Sequence, residues 1–197
     1  LLLLALTRYF PEVQALTKSK PEGSSVIMNE IRTKFGVRVT PISVQALREA
    51  VHRLKSGGVV VIAADVPVES GAEMIFFRRK TRLPIGHARL ASKTGAKMIV
   101  GTSTRLANGL YKALGVQVHE PKTTGDPDKD ILRWAQQSLF LLEGYLRERP
   151  HEWFMPIALW QQSPDQEREV NPWHAPFSVD PLKLPAIEEI TNYPNVQ

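Results

Sequence analysis

The sequence predicts an α/β fold, a mixed and largely parallel central sheet flanked by helices, and three observations lead there. Apolar runs of strand length alternate along the chain with segments of helical periodicity, the order that builds a parallel sheet with crossover helices. One of these runs, Val59 to Ala64, is apolar throughout and is bounded by Gly57-Gly58 and Asp65, which is the pattern of a central strand covered on both faces. At 197 residues and 43% hydrophobic, the chain is long enough for one domain with a sizeable core and a tight fit for two.

Taken in order, Leu1 to Phe10 reads as the buried end of a helix broken at Pro11, so the chain is expected to open inside a structural element with an N-terminal part missing. Val13 to Thr17 reads as a strand. Ser19 to Ser24 carries turn and cap chemistry that starts a helix running to about Phe35, where Gly36 supplies the stop. Val37 to Thr40 is a second strand. Ser43 is placed to cap a helix whose apolar face is Val44, Leu47, Val51 and Leu54, with His52 on its polar side. After Val59 to Ala64 comes a charged loop, then a helix-like segment closing on Thr94-Gly95-Ala96. Met98 to Gly101 and Val116 to His119 repeat the strand pattern. Pro127 to Arg149 is a long helix with a core stripe of Ile131, Leu132, Ala135, Leu139, Leu142 and Leu146, and Trp134, Phe140 and Trp153 read as packing residues. These elements make an α/β domain over residues 1–160. The recurrent prolines beyond it, Pro164 to Pro194, mark 161–197 as a tail that wraps the surface or is partly mobile.

Composition removes several chemistries. The chain has no cysteine, which excludes disulfides and thiolate metal sites, and its histidines lack the close pairing of a zinc helix, so no metal is expected. Leu1 to Leu6 is far too short an apolar run to span a bilayer. Gly57-Gly58 precedes its strand, whereas a phosphate-cradling loop must follow one, and there is no G-x-S-x-G elbow. The formal net charge of +5 is unevenly placed: Arg78, Arg79, Lys80, Arg82, Arg89, Lys93 and Lys97 follow one another with no acid between them. That field favours anionic or phosphate-bearing partners. Nucleic acid is not the expected one, because acids are plentiful elsewhere and the aromatics are not spaced as a stacking platform.

The candidate site follows from the same stretch. Asp65 is the first polar residue after the Val59 to Ala64 strand, at the carboxyl end where open α/β sheets present ligands. Its carboxylate is placed to orient a nucleophile or a base. Glu69 and Glu73 follow, Phe76 and Phe77 offer an apolar wall, and Arg78, Arg79 and Arg82 offer anion contacts. An apolar lining beside cations suits an acyl chain carried on a phosphate-rich group.

The run Ala64-Asp65, Gly71-x-Glu73, Phe76-Phe77, Leu83-Pro84-x-Gly86, Leu90-Ala91 and Thr94-Gly95-Ala96 resembles the lipid A biosynthesis acyltransferase family, which includes lauroyl and myristoyl transferases and phosphatidylinositol mannoside acyltransferases. Arg147-x-x-Pro150-x-x-Trp153 and Lys18-x-Lys20-Pro21-Glu22 resemble two further segments of that family, so the likeness runs in order from about Leu1 to Trp160. It implies a glycerol-3-phosphate acyltransferase-like fold and O-acyl transfer, without metal or tightly held cofactor, from an acyl carrier protein or coenzyme A thioester. The implied acceptor is a hydroxyl of a membrane glycolipid or lysophospholipid, on the cytoplasmic face of a bacterial inner membrane. Under this resemblance Asp65 and Glu73 are site carboxylates, and Lys18, Lys20, Phe76, Phe77, Arg78, Arg79, Arg82, Pro84 and Gly86 form the substrate-binding set.

The family's histidine base stands in a His-x-x-x-x-Asp motif. Here His52, His87, His119, His151 and His174 meet Gly57, Ser92, Thr124, Pro156 and Val179 at the aspartate position, so none forms it. The pair is therefore expected upstream of Leu1. The alternative is a non-catalytic lipid-binding or scaffold protein that keeps the fold. Two smaller departures are Val66, where the family commonly has a polar or basic residue, and Arg78, where it commonly has glycine.

Overall fold

A computed structural model describes residues 2–10, 12–155 and 157–160, so the expected tail at 161–197 lies outside the described residues. The architecture is mixed α/β. A three-stranded parallel sheet of order β2-β1-β3 is formed by β1 (Val13–Thr17), β2 (Val37–Pro41) and β3 (Val59–Ile62). The connecting helices are α2 (Ser24–Lys34) and α3 (Val44–Lys55), preceded by a short α1 (Leu2–Leu6). β1 is central, with Val13 beside both Val37 and Val59 and Leu16 beside both Thr40 and Ile62. Its Gln14 is fully buried, and the amide group is accommodated because Nε2 donates to Thr40 Oγ1 at 3.0 Å while Oε1 accepts from Arg53 Nε at 3.3 Å.

The second half is built differently. Beyond β3 come a hairpin of β4 (Ala72–Phe76) and β5 (Arg79–Leu83), helix α4 (Gly86–Thr94), a second hairpin of β6 (Met98–Arg105) and β7 (Tyr111–Val118), and the long α5 (Pro127–Glu148). Both hairpins pair antiparallel. Parallel pairing needs a crossover of a dozen or more residues, which these short connections cannot make, so the parallel order stops at β3. The stretch expected as a charged loop after Asp65 therefore contains two strands. Met74, Phe76, Thr81 and Leu83 point inward while Glu73 and Arg82 pair on the outer face.

The main core gathers Met74, Phe76, Leu83, Ala88, Ala91, Met98, Val118, Trp134, Ala135 and Leu139 between α4, α5 and the hairpins. A smaller cluster of Leu16, Ala46, Ala50 and Leu90 lies under the parallel sheet, and Leu90 of α4 brings that helix against it. Trp134 packs as expected, with Nε1 donating to the Val118 carbonyl at 3.0 Å. Phe140 is instead 42% exposed.

Local chemistry explains the boundaries. Ser43 caps α3, its hydroxyl accepting from the Ala46 N–H at 3.1 Å. Asp126 caps α5, accepting from the N–H groups of Asp128 and Lys129, and the Lys129 N–H holds its carboxyl below the usual range. Gly95 ends α4 in the left-handed region at φ 70°. Gly71 is required for a different reason: a Cβ there would lie 2.7 Å from the Leu83 carbonyl oxygen.

Three expectations are corrected. β3 spans Val59–Ile62, is half-buried, and has β1 as its one strand neighbour among the described residues, so it is not the covered central strand. α3 turns Ala46 and Ala50 fully inward with Val51 and Leu54 beside them, leaving Val44 and Leu47 exposed, because the sheet comes too close for larger side chains at the first two. The core stripe of α5 holds at Ala135 and Leu139, which are buried, and at Ile131, Leu142 and Leu146, which pack against the core, but Leu132 lies at the surface and Trp134, Ser138, Glu143 and Tyr145 are buried as well.

The β4–β5 turn consists of Phe77 and Arg78, at φ 52° and 61°. Both central residues of this two-residue hairpin thus have positive φ, which L side chains adopt at a cost of roughly 1–2 kcal/mol each. Arg78→Gly is expected to raise unfolding free energy by about 0.5–1 kcal/mol, since glycine removes that strain and returns part of the gain through its freer unfolded chain. Denaturant melts of the two proteins measure it, and an equal or lower midpoint for the variant would show that the turn is not strained.

Candidate active site

The parallel sheet orders the site because its strands all deliver their carboxyl ends to one edge. Lys18 and Lys20 leave β1 there, and Asp65 leaves the adjacent β3. Both lysines are exposed. Asp65 is partly buried and fixed by a residue far away in sequence: Trp153 Nε1 donates to Asp65 Oδ2 at 2.9 Å. One carboxylate oxygen is thereby held, and Oδ1 stays available to accept a proton or orient a donor.

Trp153 is itself held by an aromatic cluster. Its ring stacks on Phe77 at 5.8 Å between centroids and meets Phe76 edge-on at 5.9 Å, while Trp160 meets Phe77 edge-on at 6.0 Å. The Arg147 guanidinium lies over the Phe77 ring at 5.0 Å. Below it, the buried Glu143 carboxylate accepts from the Phe77 N–H at 2.7 Å and pairs with Arg147. The motif Arg147-x-x-Pro150-x-x-Trp153 thus converges on the turn that follows Phe76, and through Trp153 on Asp65. Trp153 packs against the main core, as its reading as a packing residue expects, and in addition binds the hairpin turn and the carboxylate.

The remaining candidate residues are distributed over this frame. Phe76 has no exposed surface, so it contributes core packing and offers no wall to a substrate. Phe77 is partly buried within the aromatic cluster. Arg78 is exposed in the turn, Arg79 lies over the Trp160 ring at 5.3 Å, and exposed Arg82 reaches the Glu69 carbonyl at 3.5 Å. Glu73 is on the outer face of β4, 3.5 Å from Lys80, and no described contact joins it to Asp65. Pro84 and Gly86 are partly buried where α4 begins, a start without a side-chain cap. The basic run is interrupted in space by acids from elsewhere, Glu73 beside Lys80 and Asp128 at 3.7 Å from Arg89. Glu143 and Trp160 are the residues that sequence reasoning missed, and Arg147 was legible as a motif residue but without its role. Only the spacing Arg147-x-x-Pro150-x-x-Trp153 pointed toward them.

Two other features lie apart from this edge. An open groove of about 730 Å³, lined by Phe10, Glu12, Arg38, Arg48, Glu49 and His52 among others, sits at the opposite, amino-terminal end of the strands. Its acids are already paired, Glu49 with Arg38 at 2.8 Å and Glu12 with Arg53 at 2.6 Å. His87 opens α4 but faces inward, its Nε2 2.9 Å from Ser138 Oγ. The Ser138 proton goes to the Ala135 carbonyl, so His87 donates from Nε2, and its buried Nδ1 has no partner among the described residues. Burial holds its pKa down at about 4.

The geometry defines an α/β protein with a carboxylate and cations at the carboxyl edge of a parallel sheet. The family model described as bacterial lipid A biosynthesis acyltransferase matches residues 2–162, and the chain belongs to that family. Acyl transfer involving lipid substrates is accordingly its class of chemistry. Among curated proteins, none matches the chain. No helix among the described residues is long and apolar enough to cross a membrane.

His87 also makes stability depend on pH. Its folded pKa is depressed below the unfolded value of about 6.5, so below that pH the unfolded chain takes up a proton that the folded one refuses. Stability is expected to be full above pH 6.5, to fall progressively as pH drops toward 4, and to lose nothing further from this group below that. In His87→Gln this share of the acid dependence disappears. Melts at intervals between pH 7 and pH 4 check it, and parallel profiles for the two proteins would rule it out.

Proposed function

We propose that the protein transfers a fatty acyl group from an acyl carrier protein or coenzyme A thioester to a hydroxyl of a membrane glycolipid or lysophospholipid, working peripherally at the cytoplasmic face of a bacterial inner membrane. The observation that carries this reading is the edge itself: Asp65, gripped through Oδ2 by Trp153, leaves the sheet beside the strand that bears Lys18 and Lys20. In this reading a base takes the acceptor's hydroxyl proton as the oxygen attacks the thioester carbonyl. The C–O bond forms, the C–S bond breaks, and the thiol leaves with the proton.

Asp65 orients the base or the acceptor hydroxyl through its available Oδ1, and Lys18 and Lys20 neutralise phosphate on donor or acceptor. Exposed Arg78 and Arg82 extend the positive field along the β4–β5 hairpin. The base is not assigned among the described histidines: none of His52, His87, His119 and His151 has an aspartate five residues on, and of these His87 is committed to Ser138 and His52 lines the opposite groove. The proposal leaves the base to the His-x-x-x-x-Asp arrangement that the family resemblance implies, which none of the five histidines of this sequence forms.

Asp65→Asn is expected to cut turnover at least tenfold while leaving the melting temperature within a few degrees, because the amide oxygen still accepts from Trp153. Acyl transfer from a radiolabelled thioester to lipid acceptors, run beside thermal melts of the natural full-length protein, tests this. Preserved turnover per folded molecule together with a large loss of stability would make Asp65 structural. Lipid binding with no transfer by the unmodified protein would favour a binding or scaffold role.

A further inference from the structure

Helix α2 is oriented contrary to an ordinary amphipathic helix. Its less exposed positions, Ser25, Asn29 and Arg32, are polar and follow one another at helical spacing, and Arg32 Nη1 donates to Asn29 Oδ1 at 3.0 Å. The outward arc is apolar: Ile27 is 60% exposed, Met28 47%, Ile31 38% and Phe35 59%. Ile27, Ile31 and Phe35 stand at i, i+4 and i+8 with Met28 beside them, so they form one continuous strip. The helix buries no residue fully, although it packs along β2. Leaving four large apolar side chains in water forfeits stabilisation that burial of the opposite face would supply, which marks the strip as a contact surface.

Its charge surroundings identify the partner. Exposed Lys18 and Lys20 stand just before the helix, and exposed Lys34 lies beside the strip near its end. Of the acids of this segment, Glu22 falls before the helix and exposed Glu30 stands one turn before Lys34 on the flank of the strip, so the arc of Ile27, Met28, Ile31 and Phe35 itself carries no carboxylate. Apolar side chains flanked by lysines match the two layers of an anionic lipid surface, acyl chains below and phosphates above. We propose that the outer face of α2, through Ile27, Met28, Ile31 and Phe35 with Lys18, Lys20 and Lys34, is the surface by which this protein lies on an anionic membrane. This rests on the membrane reading above and names its contact face. Because α2 begins at the same sheet edge as Asp65, such seating brings that edge toward the headgroup layer.

Co-sedimentation of the full chain with vesicles of mixed phosphatidylglycerol and phosphatidylcholine, against phosphatidylcholine alone, tests the proposal. The unmodified chain is expected to prefer the anionic vesicles and to release in high salt. Ile27→Ser with Phe35→Ser is expected to weaken partitioning roughly tenfold or more. Lys18→Gln with Lys20→Gln and Lys34→Gln is expected to reduce it to the level on phosphatidylcholine. Both sets sit at exposed positions, and circular dichroism confirms their folding. A separate Phe35→Trp variant reports insertion directly, its emission shifting to the blue on adding anionic vesicles.

Unchanged partitioning of both sets, or an unshifted Trp emission, would overturn the proposal. So would a fall in the free protein's sedimenting mass on Ile27→Ser with Phe35→Ser, which would assign the strip to a second copy of the chain. Transfer to a detergent-dispersed acceptor is measured alongside: vesicle binding without turnover sinks the enzymatic reading and spares the surface, and turnover without vesicle binding does the reverse.

Discussion

The hydrogen bond from Trp153 to Asp65 is the constraint on which the two halves of the molecule depend. Asp65 ends the parallel half, and Trp153 follows the last long helix of the antiparallel half. A bond to a charged acceptor in a partly buried setting contributes roughly 1.5–3 kcal/mol. Its larger consequence is geometric. Residues just past a strand end are ordinarily free to sample many conformations, and a fixed Oδ2 removes that freedom from the carboxylate, leaving Oδ1 directed. A site carboxylate needs that kind of support, and here it comes from the far end of the fold.

Trp153 can grip Asp65 only if Trp153 is itself immobile, and that requirement runs back through the β4–β5 turn. Phe77 and Arg78 occupy the left-handed region without being glycine, at a combined cost on the order of 2–4 kcal/mol. Against this stand a charge-assisted bond from the Phe77 N–H to Glu143, the Arg147 guanidinium over the Phe77 ring, and three ring contacts involving Phe77, each worth roughly 0.5–1.5 kcal/mol. The compensation is at least as large as the strain. Glycine at Phe77 would relieve the strain but would also remove the ring on which Trp153 stacks, so the aromatic residue is retained in an unfavourable backbone conformation because its side chain holds the next member of the chain of contacts.

These couplings also explain what the sequence made legible. β1 was readable to the residue because Val13–Thr17 is a buried run between a proline and a turn, and the α3 start because Ser43 has one way to satisfy the Ala46 N–H. Asp65 was readable as a site candidate because polarity returns abruptly at the end of an apolar run. The β4–β5 hairpin was not, since β5 is Arg-Lys-Thr-Arg-Leu, with only Thr81 and Leu83 facing inward, and its turn lacks the asparagine or glycine that usually announces positive φ. Glu143, Trp160 and the role of Arg147 escaped for a plainer reason. Their roles exist only after α5 has packed across the hairpin, and sequence separation hides that.

The division of labour between the two ends of the parallel sheet follows from its topology. At the amino-terminal end, both glutamates of the groove are already paired, Glu49 with Arg38 and Glu12 with Arg53, so no carboxylate there is left to serve a site. At the carboxyl end, Lys18 and Lys20 are exposed, Asp65 retains an oxygen, and α2 sets out with its apolar strip turned outward. A substrate with an acyl tail and a phosphorylated head presents the same two chemistries, in the same order, as that edge and that helix. Had α2 buried its apolar strip in the usual way, Lys18 and Lys20 would lead to a water-facing helix, and the carboxylate edge would have no apolar surface beside it. In the proposed membrane reading the reversed helix and the site chemistry belong together, because the two would direct a headgroup toward Asp65 and its chains toward α2.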